Sequence, residues 1–122
     1  MKPTVLIIDD STFTRRTIRD VLEAKGYEVV GEAVNGIDGI HLYKQLQPQI
    51  VILDIVMSGM DGIQTLQLIR ACDEHANVII CSAMGQQALV LDALKNGAID
   101  FVVKPFNKDR LICAVNKITN ID

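Results

Sequence analysis

Residues 50–57, Ile-Val-Ile-Leu-Asp-Ile-Val-Met, constrain the fold of this chain more than any other segment. Four apolar residues lead directly to Asp54, and a short run rich in Val and Ile is typical of a strand buried on both faces. Such strands belong to parallel sheets that helices cover on both sides. Asp54 is therefore predicted to lie at the carboxyl end of a core strand, where a carboxylate needs a partner or a chemical role.

Apolar runs of this kind alternate five times with segments of helical spacing. The strands are predicted within residues 5–8, 27–34, 50–57, 77–81 and 101–103. Ser11 is a candidate N-cap of the first helix, Asn35 and Gly36 are predicted to form a turn, and Leu91 and Leu94 are predicted to face inward on the fourth helix. Short connections and right-handed crossovers then give a parallel sheet with helices on both faces.

The second predicted strand carries more polar residues than the others, as an edge strand does. Placing it at one edge gives an α/β fold of the flavodoxin-like, doubly wound (βα)5 type, with a five-stranded parallel sheet in the order 2-1-3-4-5. Residues 1–122 are predicted to form this one domain. A Rossmann-type dinucleotide domain is the alternative, but the first strand is followed by Asp9-Asp10-Ser11 rather than Gly-x-Gly-x-x-Gly, and these acids would repel a pyrophosphate.

Composition narrows the classes of partner. A net charge of −3 provides no basic surface for direct binding to nucleic acid or to an anionic membrane. No signal peptide is visible at the amino terminus, and the three cysteines, Cys72, Cys81 and Cys113, are too widely spaced for a disulfide frame or a metal site. They are interpreted as reduced thiols, and we expect a cytoplasmic protein.

Four of the five predicted strands end in a polar side chain that is able to do chemistry. These side chains are Asp9 and Asp10, Asp54, Ser82 and Lys104. The carboxyl ends of parallel strands share one rim of the sheet, and ligands bind there near the point where the strand order reverses. We therefore expect these side chains to converge.

Three crowded acids repel one another unless a cation lies among them. Magnesium suits such a site because it prefers oxygen ligands and retains several waters. With Lys104 and Ser82 nearby, the cluster is suited to placing a phosphoryl group on Asp54, which would act as the nucleophile.

The residues Asp9-Asp10, Asp54, Ser82 and Lys104-Pro105, in this order on a repeating strand–helix chain, resemble the receiver domain of two-component response regulators. The resemblance covers the whole chain. Residues 81–87, Cys-Ser-Ala-Met-Gly-Gln-Gln, and 100–106, Asp-Phe-Val-Val-Lys-Pro-Phe, are similar to the single-domain chemotaxis regulators of this family in their Gram-positive and Thermotoga-like form.

The resemblance implies a role for each matching residue. Asp54 is the implied phosphoacceptor, and magnesium, or manganese in its place, is held by these oxygen donors: Asp9, chiefly through water, Asp10, Asp54 and the backbone carbonyl of Val56. The phosphoryl group is implied to contact Ser82, Ala83 and Lys104. Ser82 and Phe101 form the implied switch pair, and the bond before Pro105 is expected to be cis.

The resemblance also implies partners. A CheA-like histidine kinase would phosphorylate the protein, a flagellar motor switch protein would bind its changed surface, and a dedicated phosphatase would be a further partner. The protein is expected to act as a monomer and to be no enzyme beyond catalysing its own phosphorylation and dephosphorylation. The implied output surface comprises the fourth helix, the fifth strand and the fifth helix.

Two other functions remain open at this stage. The first alternative is a receiver, or a truncated receiver, that controls transcription or another output. The chain ends directly after the last predicted helix, which argues against this alternative. The second alternative is a phosphohydrolase with an aspartate nucleophile. Such enzymes usually have a second Asp two residues beyond the nucleophile, whereas this chain has Val56.

Several positions depart from the family pattern or carry two interpretations. Ser58 stands where the family very often has proline, so the loop after Asp54 is expected to be less rigid. The apolar Val56 and Met84 are predicted not to orient an attacking water, which leaves hydrolysis of the phosphoryl group slow without a phosphatase. Asp61 is predicted to serve the turn before the third helix rather than the metal. A cluster on the first helix is interpreted as a solvated face, with a kinase-docking surface as the alternative: Arg15, Arg16 and Arg19.

Overall fold

The computed structural model describes residues 2–57 and 59–119, so the predicted effect of Ser58 lies outside the described residues. The strands are β1 (Thr4–Ile8), β2 (Glu28–Ala33), β3 (Ile50–Asp54), β4 (Val78–Ala83) and β5 (Asp100–Lys104). The helices are α1 (Thr12–Glu23), α2 (Gly36–Leu46), α3 (Gly62–Cys72), α4 (Gln87–Lys95) and α5 (Lys108–Thr119).

The five strands form one parallel sheet in the order β2-β1-β3-β4-β5. This order confirms the predicted flavodoxin-like (βα)5 fold and places the more polar second strand at an edge. Strand order reverses between β1 and β3, which are paired with Ile8 opposite Leu53. The residues that follow these two strands therefore emerge side by side at one rim.

The core has two layers because side chains of a strand alternate between the faces of the sheet. Ile7 and Ile52 pack on one face against buried residues of α1 and α5. Ile8 and Leu53 pack on the other face against buried residues of α2, α3 and α4. All five residues of β3 are buried, as its apolar sequence predicts. Because helices cover both faces, the sheet is stable and holds the residues at its strand ends in fixed positions.

Two predictions about local structure were wrong. Leu91 and Leu94 do not face inward; Leu91 is 59% exposed, whereas Val90 and Ala93 are the buried residues of α4. Residues 88–91 are all apolar, so spacing alone does not select the buried face. Asn35 does not form a separate turn, since it is the N-cap of α2 and its side chain accepts a hydrogen bond from the Asp38 amide.

The cap of α3 follows the sequence pattern. Asp61 caps α3 through a capping box with Gln64, as expected for the turn role. All three cysteines are free thiols, with Cys81 buried and the other two exposed. Within residues 2–57 and 59–119, the structure contains no helix that combines the length and the apolar character needed to cross a bilayer.

Candidate functional site

Three carboxylates meet at the rim where β1 and β3 end. Each of Asp9, Asp10 and Asp54 offers an oxygen atom, and these three atoms all lie within 4.8 Å of one another. Asp9 is 1% exposed and Asp54 is 7% exposed, whereas Asp10 is exposed. The three acids therefore converge, as the strand-end argument predicted, and the cluster extends from two buried carboxylates to one exposed carboxylate.

Lys104 supplies a positive charge from the end of β5. Its Nζ lies 2.9 Å from Asp9 Oδ2 and 3.3 Å from Asp54 Oδ2. The peptide bond from Lys104 to Pro105 is cis, the isomer that the family resemblance implied. The ammonium thus contacts both buried carboxylates, and it does so from a strand on the far side of β4.

The charges in this cluster perturb one another. Burial raises the pKa of Asp54 because it disfavours the carboxylate, and the neighbouring Asp9 adds to that effect. The Lys104 ammonium and the Val56 amide oppose both, yet the pKa remains above its usual value. Burial alone would lower the pKa of Lys104, but Asp9 and Asp54 outweigh it and raise that pKa. A further cation beside Asp54 would favour its ionised form.

Backbone groups hold both buried carboxylates in place. The Ser11 amide donates to Asp9 Oδ1 at 2.8 Å, and the Val56 amide donates to Asp54 Oδ1 at 3.1 Å. The backbone itself is fixed by the Asp9 amide, which donates to the Ala33 carbonyl at 3.0 Å. Gly62 packs against this strand end so closely that a Cβ there would lie 2.5 Å from the Asp54 carbonyl oxygen. The positions of these acids are therefore set before any ligand binds.

Ser82 lies one residue beyond Cys81, the residue of β4 that pairs with Asp54. Its hydroxyl is buried and has no hydrogen-bond partner among the residues that the structure describes. A buried hydroxyl without a partner is unfavourable, so Ser82 is a donor in need of an acceptor. The thiol of Cys81 is no rival nucleophile to Asp54, since burial raises its pKa to about 12.

Ala83 and Phe101 flank Ser82 in different ways. The Ala83 amide donates to Gln86 Oε1 at 2.7 Å, so this amide is already engaged. Phe101 is half-buried and shares with Ser82 the lining of a cavity of about 370 Å³ between β4, α4 and β5. The structure therefore brings the two implied switch residues to the walls of one cavity.

The carboxylate cluster fits a hard divalent cation. It provides three oxygen donors from three residues, one of them exposed, and magnesium typically takes few carboxylates and keeps water on its open side. Sulfur and imidazole ligands, which favour zinc or copper, are not part of the cluster. The donor set thus matches the magnesium or manganese that the sequence predicted.

Comparison with known proteins agrees with this geometry. The family model of the response regulator receiver domain matches residues 5–116. The chain belongs to the response regulator receiver domain family. This receiver domain is 49% identical to the chemotaxis protein CheY of Thermotoga maritima, with 94% of this chain and 96% of that protein covered. Against Bacillus subtilis CheY it is also 49% identical, with 95% and 97% covered.

A solved structure shows the same architecture. The receiver domain superposes with a TM-score of 0.91 on a chain of the CheX–CheY–BeF3–Mg2+ complex from Borrelia burgdorferi. The two chains are 36% identical, and the match covers 96% of this chain and 89% of that one. The similarity confirms the receiver fold and the CheY-like character that the sequence predicted.

Sequence reasoning missed the contacts of two arginines beside these residues. Arg15 is not part of a solvated face, because its guanidinium donates to the Asp9 carbonyl at 2.7 Å and to Glu32 Oε1 at 3.0 Å. Arg110 of α5 donates to the Phe101 carbonyl at 2.6 Å and lies 5.9 Å from the centre of the Phe101 ring. Each arginine contacts residues outside its own helix, 6 to 17 positions away in the sequence, and no local pattern signals these contacts.

Proposed function

We propose that this receiver domain is phosphorylated on Asp54 by a histidine kinase. The observation that carries the proposal is the position of the Asp54 carboxylate, which lies within 4.8 Å of the Asp9 and Asp10 oxygens and 3.3 Å from Lys104 Nζ. Family membership supports it, because receiver domains are signalling phosphoacceptors that bind Mg2+ at an acidic pocket. Asp9, Asp10, Asp54 and the Val56 carbonyl are the proposed ligands.

The proposed reaction is a phosphoryl transfer between two side chains. An Asp54 oxygen forms a bond to phosphorus while the bond from phosphorus to the kinase histidine nitrogen breaks, and that nitrogen leaves with the electron pair. A bound Mg2+ would neutralise negative charge on the phosphoryl oxygens. Lys104 contacts the same oxygens from the opposite side, and Asp54 attacks as the carboxylate.

The buried hydroxyl of Ser82 links phosphorylation of Asp54 to a structural change at the protein surface. A phosphoryl group adds roughly two negative charges and strong acceptor oxygens beside that unpartnered donor. We expect Ser82 to move towards it, which opens space for Phe101 to turn inward from the shared cavity. The Ala83 amide joins the phosphoryl contacts only after it releases Gln86. Phosphorylation thereby biases two arrangements of one fold.

The proposed output surface comprises α4, β5 and α5. Exposed apolar side chains on it fit a protein partner, namely Leu91, Leu94 and Val103, and the exposed Met84 lies beside it in the loop before α4. Similarity over nearly the full length of two CheY proteins favours chemotaxis over control of transcription, with a CheA-like kinase and a flagellar motor switch protein as partners. A phosphatase partner is supported by CheX in the Borrelia complex.

In this proposal the chain acts as one cytoplasmic receiver domain over residues 1–122. It works as a monomer without direct contact to nucleic acid or membrane, and it catalyses only its own phosphorylation and dephosphorylation. Its free thiols suit a reducing compartment.

Intact mass measurement after incubation with Mg2+ and acetyl phosphate tests the phosphoacceptor. We expect the protein to gain one phosphoryl group, and to gain none when Asp54 is replaced by Asn or when the metal is chelated. Asp61→Asn is the matched control, since this exposed acid caps α3 and should leave the gain intact. A wild-type protein that gains no mass, or an Asp54→Asn variant that still gains it, would contradict the proposal.

A further inference from the structure

Arg15 connects the metal-binding loop to the edge strand of the sheet. Its Nη1 donates to the Asp9 carbonyl at 2.7 Å, while its Nε donates to Glu32 Oε1 at 3.0 Å. The Arg15 side chain is only 11% exposed. The guanidinium of this α1 residue therefore makes hydrogen bonds both to the residue after β1 and to β2.

The carbonyl that Arg15 contacts belongs to the peptide unit between Asp9 and Asp10. A peptide unit is planar, so a hydrogen bond to its carbonyl fixes the orientation of the amide and Cα of the next residue as well. Asp9 lies just beyond the last residue of β1, and the carbonyl faces the arginine rather than a neighbouring strand. The hydrogen bond therefore acts on the peptide unit that links the two residues bearing the carboxylates.

Glu32 fixes Arg15 in turn. Its second oxygen accepts from Arg19 Nε at 2.8 Å, so each carboxylate oxygen holds one guanidinium of α1. Glu32 also directly precedes Ala33, whose carbonyl accepts the Asp9 amide at 3.0 Å. Both sides of the Asp9 backbone are therefore anchored on adjacent residues of β2.

We propose that Arg15, oriented by Glu32, is a positioning residue for the metal site. It holds the Asp9–Asp10 peptide so that both carboxylates point at the divalent cation before the cation arrives. This inference rests on the proposed function, because it assumes that the acidic cluster binds Mg2+. Outer partners that orient metal ligands typically contribute about 10- to 100-fold in metal affinity. We expect the lower end, since Arg15 acts through the backbone.

Isothermal titration calorimetry with MgCl2 alone tests this role, with thermal unfolding recorded for every variant. Arg15→Met is expected to weaken Mg2+ binding about tenfold at an unchanged stoichiometry. Arg16→Met is the matched control, because it removes the same charge from the neighbouring, exposed position of α1 and should keep wild-type affinity. Arg15→Lys keeps the charge but not the two-way fork, so its affinity should also fall.

A double variant tests whether Arg15 acts through Glu32. Glu32→Gln should weaken Mg2+ binding less than Arg15→Met, and the combined variant should match Arg15→Met alone. Equal affinities for the Arg15→Met and Arg16→Met proteins would overturn the proposal. Wild-type affinity in Arg15→Lys, or a fall in stoichiometry at constant affinity, would overturn it too, as these outcomes indicate a charge effect or partial unfolding.

The two proposals fail in different ways. A wild-type protein that binds no Mg2+ and gains no phosphoryl group would contradict the proposed function itself. A wild-type protein that binds Mg2+ but is indifferent to Arg15 would contradict only the positioning role. Phosphorylation by acetyl phosphate at saturating Mg2+ should be nearly normal in Arg15→Met and slow only at low Mg2+.

Discussion

The two ends of the candidate site are built in opposite ways. On the β1 side, the Asp9 carboxylate receives hydrogen bonds from Ser11 and Lys104, and its backbone is tied to Ala33 and Arg15. On the β4 side, Ser82 has a buried hydroxyl without a partner within the described part of the chain. At the first end the Asp9 carboxylate and backbone are hydrogen-bonded, whereas the second end has a buried donor without a described partner.

The helices that follow these strands differ in the same sense. The Ser11 side chain caps α1 by accepting from the Thr14 amide at 3.2 Å. The N-terminus of α4 has no such side-chain cap, and Gln86 reaches back to Ala83 instead. An uncapped first turn beside an apolar cavity is easier to shift than a capped one. The contrast favours a rigid β1 side, which is the proposed metal site, and a more movable β4 side, which is the proposed switch. Lys104 links the two, since it pairs with Ala83 of β4 and its ammonium contacts Asp9.

The largest effect on stability is expected from removing the Lys104 ammonium. Lys104→Met leaves Asp9 and Asp54 buried together without their ammonium partner, and removing one member of such a cluster typically costs about 3 kcal/mol of unfolding free energy. Urea unfolding without divalent ions measures this loss. Added Mg2+ should restore part of it, because a cation again offsets the carboxylates.

Lys108→Met provides the control for Lys104→Met, since this lysine is exposed at the start of α5. Its unfolding free energy should stay near the wild-type value, with or without Mg2+. Equal stability of both variants would show that Lys104 does not couple the two sides.

A second prediction concerns water at the open face of Asp54. Val56 and Met84 are exposed, at 49% and 80%, and neither offers a polar group to an attacking water. Replacing them by Asn and Glu should shorten the lifetime of the Asp54 phosphoryl group by about tenfold, because a positioned water attacks phosphorus more readily. Intact mass recorded over time after removal of acetyl phosphate measures that lifetime.

Val34→Asn is the matched control for the lifetime, because Val34 is also 49% exposed. Its phosphoryl group should persist as long as in the wild-type protein. An unchanged lifetime in the protein with Asn at position 56 and Glu at position 84 would contradict the idea that these two side chains set the rate.

The same contrast explains which features the sequence was able to predict. Apolar runs determine which strands are central, and parallel strands carry their last residues to one rim, so the convergence of Asp9, Asp54 and Lys104 followed from order alone. Asp61 was also predictable because a cap is a local pattern. The core strands and the convergence of these side chains were therefore largely accessible from sequence.

The switch side was less accessible. The buried face of α4 was predicted wrongly, since apolar residues on several sides of that helix leave its orientation to tertiary packing. On this side the contact of Arg110 with Phe101 was missed as well, and on the β1 side the contact of Arg15 with Glu32 was missed. Each joins an exposed-looking arginine to a residue on a different element, and helical spacing contains no information about such pairs.

A third prediction removes one hydroxyl from each side. Ser11→Ala should destabilise the unphosphorylated protein by about 1 kcal/mol, because α1 loses its cap. Ser82→Ala should instead stabilise it by about 1 kcal/mol, since a buried donor without a partner is removed. Urea unfolding of the two variants measures both changes under the same conditions.

Phosphorylation should change the result for Ser82→Ala. The variant is still expected to gain a phosphoryl group on Asp54, but Phe101 should respond less, because the hydroxyl that pulls β4 is missing. Changes in the NMR signal of the Phe101 ring on phosphorylation monitor this response. Loss of stability in unphosphorylated Ser82→Ala would contradict the claim that the Ser82 hydroxyl lacks a hydrogen-bond partner before phosphorylation.

The smallest effect is expected at the outer end of the switch, where Arg110 holds Asp100 at 2.7 Å as well as Phe101. Partial burial alone would raise the pKa of Asp100, but hydrogen bonds from Arg110 and from the Phe101 amide outweigh it and hold that pKa below its usual value. The folded protein therefore favours the ionised form. Asp100 contributes stability above its unfolded pKa of about 4, and this contribution is lost as pH falls through the lower, folded pKa.

Replacing Asp100 by Asn should remove that pH dependence. The variant should be less stable than the wild-type protein near pH 7, and the two should converge in acid, once the pH is below the lowered, folded pKa of Asp100. Urea unfolding at both pH values tests this, and Asp20→Asn, an exposed acid on α1, controls for the charge. Because Arg110 loses one of its anchors, the Asp100→Asn protein should also show a less restricted Phe101 ring before phosphorylation. A difference in stability that persists at low pH would show that Asp100 acts through packing rather than through its ion pair with Arg110.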